Sequence, residues 1–248
     1  MASFARLSPS GKHLAYARAG REFAGHAVPL ELRLLPWDPA PDDGGAPRAA
    51  GAAQTLLSAD DTAGDSADDA GDTAWGKGDG WCGWGGFHDE FASLCWLTDG
   101  ALLLNTLQRG ELCALLVSPG QNKAGTTVHK LLPPQEGAAP CSVKLVGARA
   151  DAADAKVVVQ SSSFLSPPQL WACSVPTSAD GGAEAPTGWC KLADAAELAA
   201  PPALALLRTE MVASLGACAV HRVTLPASEG GAEAFVLLPP PDAGTYAW

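Results

Sequence analysis

The chain has 248 residues, of which 47% are hydrophobic, and a formal net charge of −11. This length and hydrophobicity suffice for a buried core in one large or two small domains, and the negative charge repels phosphate backbones, which argues against nucleic-acid binding. The longest apolar stretch, 198–220, is broken by prolines and charges, and the N-terminal sequence lacks a secretory pattern. We therefore expect no membrane span and no secretion signal.

The first predicted element is a β-hairpin over residues 4–18. A short apolar segment is followed by the turn S-P-S-G and then by a strand in which Leu14 and Tyr16 alternate with smaller or polar residues. Glycine reaches positive φ without steric cost, so Ser-Gly and Asp-Gly turns between apolar runs indicate tight hairpins. A further strand is predicted at 30–37.

Residues 38–80 are predicted to be a disordered linker. They are rich in Asp, Gly and Ala, and they contain six carboxylates without an intervening Lys or Arg, at positions 60, 61, 65, 68, 69 and 72. Such a charge run is typical of a solvated segment. We therefore treat 1–37 and 81–225 as the folded parts on either side of an acidic insert.

The rest of the chain also reads as antiparallel β-structure. Further strands and hairpins are predicted at 91–105, 111–120, 155–176 and 221–240, and a short helix at 192–199. The unit spacing is close to the roughly 40–50 residues of a propeller blade plus a loop. The pattern therefore predicts an all-β fold, a partial β-propeller of about three to four blades with an incomplete ring; a β-sandwich is the alternative.

Several short motifs resemble functional sites but lack the context that the chemistry needs. The segment GDGWCG at 78–83 fits G-x-G-x-x-G without a preceding strand or a following helix, and adjacent side chains such as His88, Asp89 and Glu90 diverge instead of converging on a metal. Ser66 lacks the second Gly of a nucleophile elbow, and His13 and His221 fit ordinary sheet positions. The sequence therefore assembles no catalytic, cofactor or metal site.

The seven cysteines, at 82, 95, 113, 141, 173, 190 and 218, include no C-x-x-C pair. Metal sites and disulfide frameworks usually show close or paired spacing. We expect reduced thiols, several of them small core residues.

Five stretches carry a resemblance to a known family: ARLSPSGKHLAYAR, LELRLLPWDP, FASLCWLTDGALLLNTLQRGELCALLV, KVVVQSSSFLSPPQLWACSVP and AEAFVLLPPP. In this order they resemble the second half of the N-terminal β-propeller of the acylaminoacyl-peptidases, a branch of the prolyl oligopeptidase family. The last stretch resembles the strand that leads from the propeller into the α/β-hydrolase domain, so residues 226–248 are expected to be this exit strand.

The resemblance implies a cytoplasmic serine hydrolase that removes N-acylated residues from short blocked peptides. In that family the propeller excludes folded proteins, and the partners of this chain would be N-acylated peptides and its own hydrolase domain. The His-Gly-Gly-Pro and G-x-S-x-G segments of the family do not occur in this sequence. We therefore expect an inactive fragment, whose uncovered blade faces drive association between copies.

Two further hypotheses compete with this one. The chain is either a free-standing propeller-like module that binds peptide or protein without enzymatic activity, or a β-sandwich whose resemblance is accidental. The sequence does not decide among them.

Overall fold

The computed structural model describes residues 2–19, 29–41, 44–58, 94–108, 111–120, 125–134, 141–150, 154–177, 182–194, 209–210, 213–224 and 233–239. These residues form fifteen β-strands, and every pair of hydrogen-bonded strands is antiparallel. Within the described ranges, α-helix occurs only at 209–210 and 213–216. The prediction of an all-β fold is confirmed.

The first sheet contains five strands: β1 (Ala2–Leu7), β2 (His13–Ala19), β3 (Pro29–Asp38), β4 (Arg48–Ala49) and β5 (Gln54–Ser58). The predicted hairpin of β1 and β2 and the strand β3 are confirmed. Gly11 lies in the β1–β2 turn at a φ of 73°, a conformation that strongly favours glycine. β3 pairs with β2 on one edge and with β4 and β5 on the other.

Strands β4 and β5 lie inside the interval 38–80, which the sequence predicts to be a disordered linker. Leu56 and Leu57 of β5 are fully buried in the fold. The linker prediction is therefore wrong for residues 48–58, because a short apolar strand follows the Pro/Gly-rich stretch and completes the first sheet. The run of aspartates from Asp60 to Asp72 lies outside the described residues.

The second sheet is a four-stranded meander in chain order: β6 (Leu94–Thr98), β7 (Ala101–Gln108), β8 (Glu111–Ser118) and β9 (Thr127–Lys130). The predicted β6–β7 hairpin around Asp99-Gly100 and the strand β8 are confirmed. β9 extends the sheet beyond the prediction.

The third sheet is also a four-stranded meander: β10 (Cys141–Ala150), β11 (Asp154–Ser163), β12 (Gln169–Pro176) and β13 (Thr187–Asp194). The predicted pair β11–β12 is confirmed, whereas β10 and β13 are additional strands. The helix predicted at 192–199 is wrong for residues 192–194, which are the end of β13. Positions 195–199 lie outside the described residues.

Strands β14 (Ala219–Thr224) and β15 (Glu233–Leu238) form a two-stranded ribbon, as predicted for 221–240. The ring of Phe235 in β15 lies 5.4 Å, centroid to centroid, from the ring of Phe164 in the β11–β12 loop. This aromatic contact joins the ribbon to the third sheet.

The three larger sheets pack against one another through two apolar cores. The first core packs side chains such as Leu32 and Leu57 of the first sheet against Leu104 and Leu115 of the second. The second core packs Leu103 and Leu116 of the second sheet against Val157, Val159 and Val175 of the third. Successive residues of a strand point to opposite faces, so the run Leu102–Leu104 of β7 serves both cores, and the second sheet is covered on both faces.

Hydrogen bonds between sheets join their ends. The backbone amide of Ser10 donates to the Asp99 carboxylate at 2.9 Å, and the Trp96 indole N–H donates to the Arg6 carbonyl at 2.9 Å. Both bonds connect the first sheet to the second. The first joins the β1–β2 turn to the β6–β7 turn, and the second joins strand β6 to strand β1. They fix the relative position of the two sheets in a way that apolar packing, which is not directional, does not.

Equivalent bonds join the second sheet to the third. The buried side chain of Asn105 accepts a hydrogen bond from the Leu145 amide at 3.0 Å, and the Ser142 hydroxyl accepts one from the Leu112 amide at 3.2 Å. No helix in the described part of the chain is long and apolar enough to cross a bilayer.

Candidate functional site

A pocket of about 510 Å³ opens at one end of the third sheet, where β11 ends, β12 begins and β13 ends. Pro134, which follows β9 of the second sheet, forms part of its wall. The pocket is therefore formed mainly by the third sheet, with one wall residue from the segment that follows the second sheet. Its volume falls within the roughly 300–1,000 Å³ of small-molecule sites.

The pocket begins where the inward face of the third sheet changes from apolar to polar. Along β11, Val157 and Val159 point into the second core, and Ser161, two residues further, lines the pocket. Along β12, Cys173 lies in the same core, Trp171 packs against it and Gln169 lines the pocket. The alternation of the strands thus places polar groups at positions that face a neighbouring sheet.

An irregularity in β13 brings two charged side chains to this face. Trp171 pairs with Lys191 and Leu170 pairs with Ala193, so Leu192 is an extra residue on the β13 side. The side chain of Leu192 is 55% exposed. Such a bulge redirects side chains, and here Lys191 and Asp194, three residues apart, meet on one face.

A chain of polar contacts connects the two charges to the indole. Asp194, only 8% exposed, accepts through Oδ2 from the Gln169 amide at 2.8 Å and from the Lys191 ammonium at 3.2 Å. The Trp171 indole N–H donates to Gln169 Oε1 at 3.3 Å. A buried carboxylate is tolerated only when it is paired and hydrogen-bonded, and this network meets that requirement.

Four serines line the wall, namely Ser161, Ser162, Ser163 and Ser166. The Ser163 hydroxyl accepts hydrogen bonds from the amides of Leu165 and Ser166, at 3.1 and 3.0 Å. Side chains that bond to nearby backbone amides in this way hold a turn in one conformation. The β11–β12 loop is thus ordered by its own serine.

The wall of the pocket contains serines together with Lys191 and Asp194 as its charged residues. A serine becomes a nucleophile when a base lies within hydrogen-bond reach, and neither histidine nor cysteine is among the residues that line the pocket. The Lys191 ammonium is paired with the Asp194 carboxylate. The pocket wall therefore offers serines, an amide, an ion pair and an indole for contact with a small molecule.

The two histidines singled out in the sequence lie far apart in the fold. His13 begins β2, where its ring centroid is 6.3 Å from the Trp96 ring, and its buried Nδ1 has no hydrogen-bond partner. His221 is an exposed residue of β14 opposite Val236. The structure brings neither to the pocket. Ser66, the segment 78–83 and His88-Asp89-Glu90 lie outside the described residues.

The cysteines that the structure describes are free thiols: Cys95, Cys113, Cys141, Cys173, Cys190 and Cys218. Burial raises the pKa of the Cys173 thiol to about 11, although Lys156 partly opposes this effect. Burial also raises the pKa of Cys95, against the influence of Arg6. Thiols with raised pKa values are poor nucleophiles near neutral pH.

Among the described residues, no group of three or more His, Cys, Asp or Glu side chains is placed to hold a metal ion. No model of a known protein family matches the chain, and neither a curated protein nor a solved structure is detectably similar to it.

The pocket residues Ser161, Gln169, Lys191 and Asp194 were not predicted from the sequence as site residues. The run of three serines at 161–163 is the one feature of the sequence that indicates a polar site in this region.

Proposed function

We propose that the chain is the non-catalytic β-propeller portion of a serine-type acylaminoacyl-peptidase, in which it restricts access to short N-acylated peptides. The observation that carries the proposal is the succession of antiparallel meanders, stacked face to face around two apolar cores. Propeller blades are four-stranded sheets that pack against their neighbours in this manner. A two-layer β-sandwich has no sheet covered on both faces.

The repeat length adds support. The second sheet begins at Leu94 and the third at Cys141, a spacing of 141 − 94 = 47 residues. Propeller repeats span about 40–50 residues. The four strands of each of these sheets are also adjacent in chain order, as they are within one blade.

In this proposal the reacting serine, its histidine and its aspartate belong to an α/β-hydrolase domain that packs against the propeller. N-acylated peptides are the substrates of the whole enzyme, which is cytoplasmic. The chain alone binds no cofactor and cleaves no blocked peptide. Its sheets associate with a hydrolase domain or with another copy of the chain.

The transcript that encodes this chain provides the test. Sequencing it past the codon for Trp248 should reveal a continuation with a His-Gly-Gly-Pro-type segment and a G-x-S-x-G motif. The full product should then cleave acetyl-alanyl p-nitroanilide, and the Ala variant of its motif serine should not. A stop codon directly after Trp248 in a complete transcript would contradict the proposal.

A free-standing interaction module is the second candidate, and the polar pocket of the third sheet favours it. Its network of Gln169, Lys191 and Asp194 needs no hydrolase domain to be complete. The stop codon that contradicts the first proposal supports this one. Ligand binding by the 248-residue chain, without hydrolysis, would be its direct evidence.

A further inference from the structure

We propose that the pocket at the end of the third sheet binds a neutral sugar or a sugar-like polyol. The proposal is independent of the peptidase assignment, because it uses only the walls of this pocket and requires neither a closed ring nor a hydrolase domain. It would hold equally for a propeller domain and for a free-standing module.

The pocket is built from residues that stability alone does not favour. Ser161, Gln169 and Asp194 occupy inward positions in line with the buried valines of β11, where an apolar side chain would extend the second core. The carboxylate of Asp194 is buried, and replacing buried charged groups by apolar residues of similar volume is often neutral or stabilising. Polar groups at core-facing positions are expected where a site is functional.

The charges of the pocket select a neutral ligand. The Lys191 ammonium and the Asp194 carboxylate lie 3.2 Å apart and compensate each other. An anionic ligand would have to compete with Asp194 for the ammonium, and a cationic ligand would have to compete with Lys191 for the carboxylate. The cost is larger when Asp194 loses its partner, because Asp194 is buried, whereas the Lys191 side chain is 39% exposed and can be solvated.

Recognition here depends on side chains and not on the main chain. β11 lies between β10 and β12, and β12 lies between β11 and β13, so the backbones of both strands are engaged in the sheet. The amides of Leu165 and Ser166 donate to Ser163. An extended peptide would bind chiefly by adding a strand to a free edge. β13 is the last strand of this sheet and offers such an edge, but β11, β12 and the loop between them, which form most of the pocket wall, do not.

The side chains that remain fit a polyol. Serine hydroxyls both donate and accept hydrogen bonds, and the Gln169 amide does the same through separate atoms. The ring of Trp171 adds an apolar surface of the kind that amphipathic ligands use. A sugar ring presents hydroxyl groups at its rim and C–H groups on its faces. A monosaccharide or disaccharide therefore matches both the polarity and the size of the pocket.

Saturation-transfer NMR on the 248-residue chain tests the ligand class. The probes are methyl glucoside, methyl galactoside, methyl mannoside and maltose, with glucuronate, glucosamine and acetyl-alanine methylamide as the charged and peptide-like comparisons. We expect transfer to at least one neutral sugar, with a Kd on the order of 1 mM, and weaker transfer to both charged sugars. Absence of transfer to every neutral sugar, or binding of the peptide probe alone, would overturn the proposal.

Two variants place the binding in this pocket. Trp171→Phe should weaken the affinity about tenfold, whereas Trp189→Phe, a change in β13 that packs on the second core without lining the pocket, should leave it unchanged. Far-UV circular dichroism and the urea unfolding midpoint verify folding. Equal losses in both variants would place the sugar elsewhere and refute the site.

Asp194→Asn gives a second readout that does not depend on the indole. It removes the compensating charge beside Lys191 but retains an oxygen that accepts from Gln169. We expect the variant to gain affinity for glucuronate relative to methyl glucoside by about tenfold. An unchanged preference between the two sugars would contradict the proposed role of the ion pair.

Discussion

The backbone amide of Ser10 and the carboxylate of Asp99 are joined by a 2.9 Å hydrogen bond that connects the β1–β2 turn of the first sheet to the β6–β7 turn of the second. Partial burial would raise the pKa of the Asp99 carboxyl. Hydrogen bonds from the Ser10 amide and from the Ser10 and Ser8 hydroxyls, with a smaller influence of His13, outweigh this effect and lower the pKa below 3.8.

This bond predicts a pH dependence of stability. Because the native pKa of Asp99 is lowered, its contribution to the free energy of unfolding is complete above about pH 4 and is lost as the pH falls through the native value. Asp99→Asn cannot titrate, so it should be less stable than the parent chain at pH 7 and should approach it near pH 3. Urea unfolding between pH 3 and 7 measures the difference.

Asp154→Asn is the matched control for this measurement, because Asp154 pairs with Lys156 within the third sheet and joins no two sheets. If both variants show the same pH slope relative to the parent chain, the Ser10–Asp99 bond does not carry the effect.

Asn105 should contribute to stability through a buried hydrogen bond. Its side-chain oxygen accepts from the Leu145 amide across the second core at 3.0 Å. Asn105→Ala leaves that amide without this acceptor, which costs about 1–3 kcal/mol. Chemical denaturation measures the loss. Gln160→Ala, a half-buried position on the outward face of β11, is the control and should change stability by less than about 0.5 kcal/mol.

The three-layer packing predicts that consecutive leucines of β7 are equally important. Leu103 lies in the second core and Leu104 in the first, and both are fully buried. Each change to Ala should cost about 2–5 kcal/mol, because it removes apolar contacts and leaves a cavity. Leu192→Ala, at an exposed site, should cost less than about 0.5 kcal/mol. A loss in only one of the two β7 variants would indicate that the second sheet has a solvent face.

The thiols should differ sharply in reactivity. With a pKa of about 11, Cys173 is about one part in 10⁴ thiolate at pH 7, and it is also buried. Cys190 is exposed and should react with iodoacetamide before the other cysteines that the structure describes. Peptide mapping by mass spectrometry measures both sites, with the urea-unfolded chain as the reference. Labelling of native Cys173 at the rate of Cys190 would contradict the burial.

The isolated chain should associate with itself. Val236 and Leu237 point to opposite faces of β15 and both are exposed, so neither face of the β14–β15 ribbon is fully covered. Exposed apolar surfaces favour association. Sedimentation velocity over a range of concentrations should show species larger than the monomer, and a single sharp monomer boundary with cooperative unfolding would count against it.

The hairpins were predictable because their signals are local. Asp99-Gly100 and Ser10-Gly11 lie between apolar runs, a pattern that predicts a tight turn from neighbouring residues alone; of the two glycines, Gly11 has a positive φ. β5 was missed because its five residues stand next to the aspartate run and its leucines are buried in a core formed with residues that are distant in the sequence. Composition averaged over residues 38–80 conceals so short a strand.

The pocket was not predictable for a different reason. The bulge at Leu192 breaks the period of two in β13, and the segment from Leu192 onward therefore resembles a helix with apolar residues three and four apart. The meeting of Lys191 with Asp194 depends on that bulge and on the pairing with β12. Sequence spacing alone carries no information about either.

The burial of the second sheet on both faces has a consequence during synthesis. β9 ends at Lys130 and β12 at Pro176, so 176 − 130 = 46 further residues are made before the strands that complete the second core have been translated. At about 5–20 residues per second this takes roughly 2–9 s. Throughout that interval the leucine-rich face of the second sheet is exposed on the nascent chain, because the strands that cover it have not yet been translated. We expect a chaperone to bind this exposed apolar face.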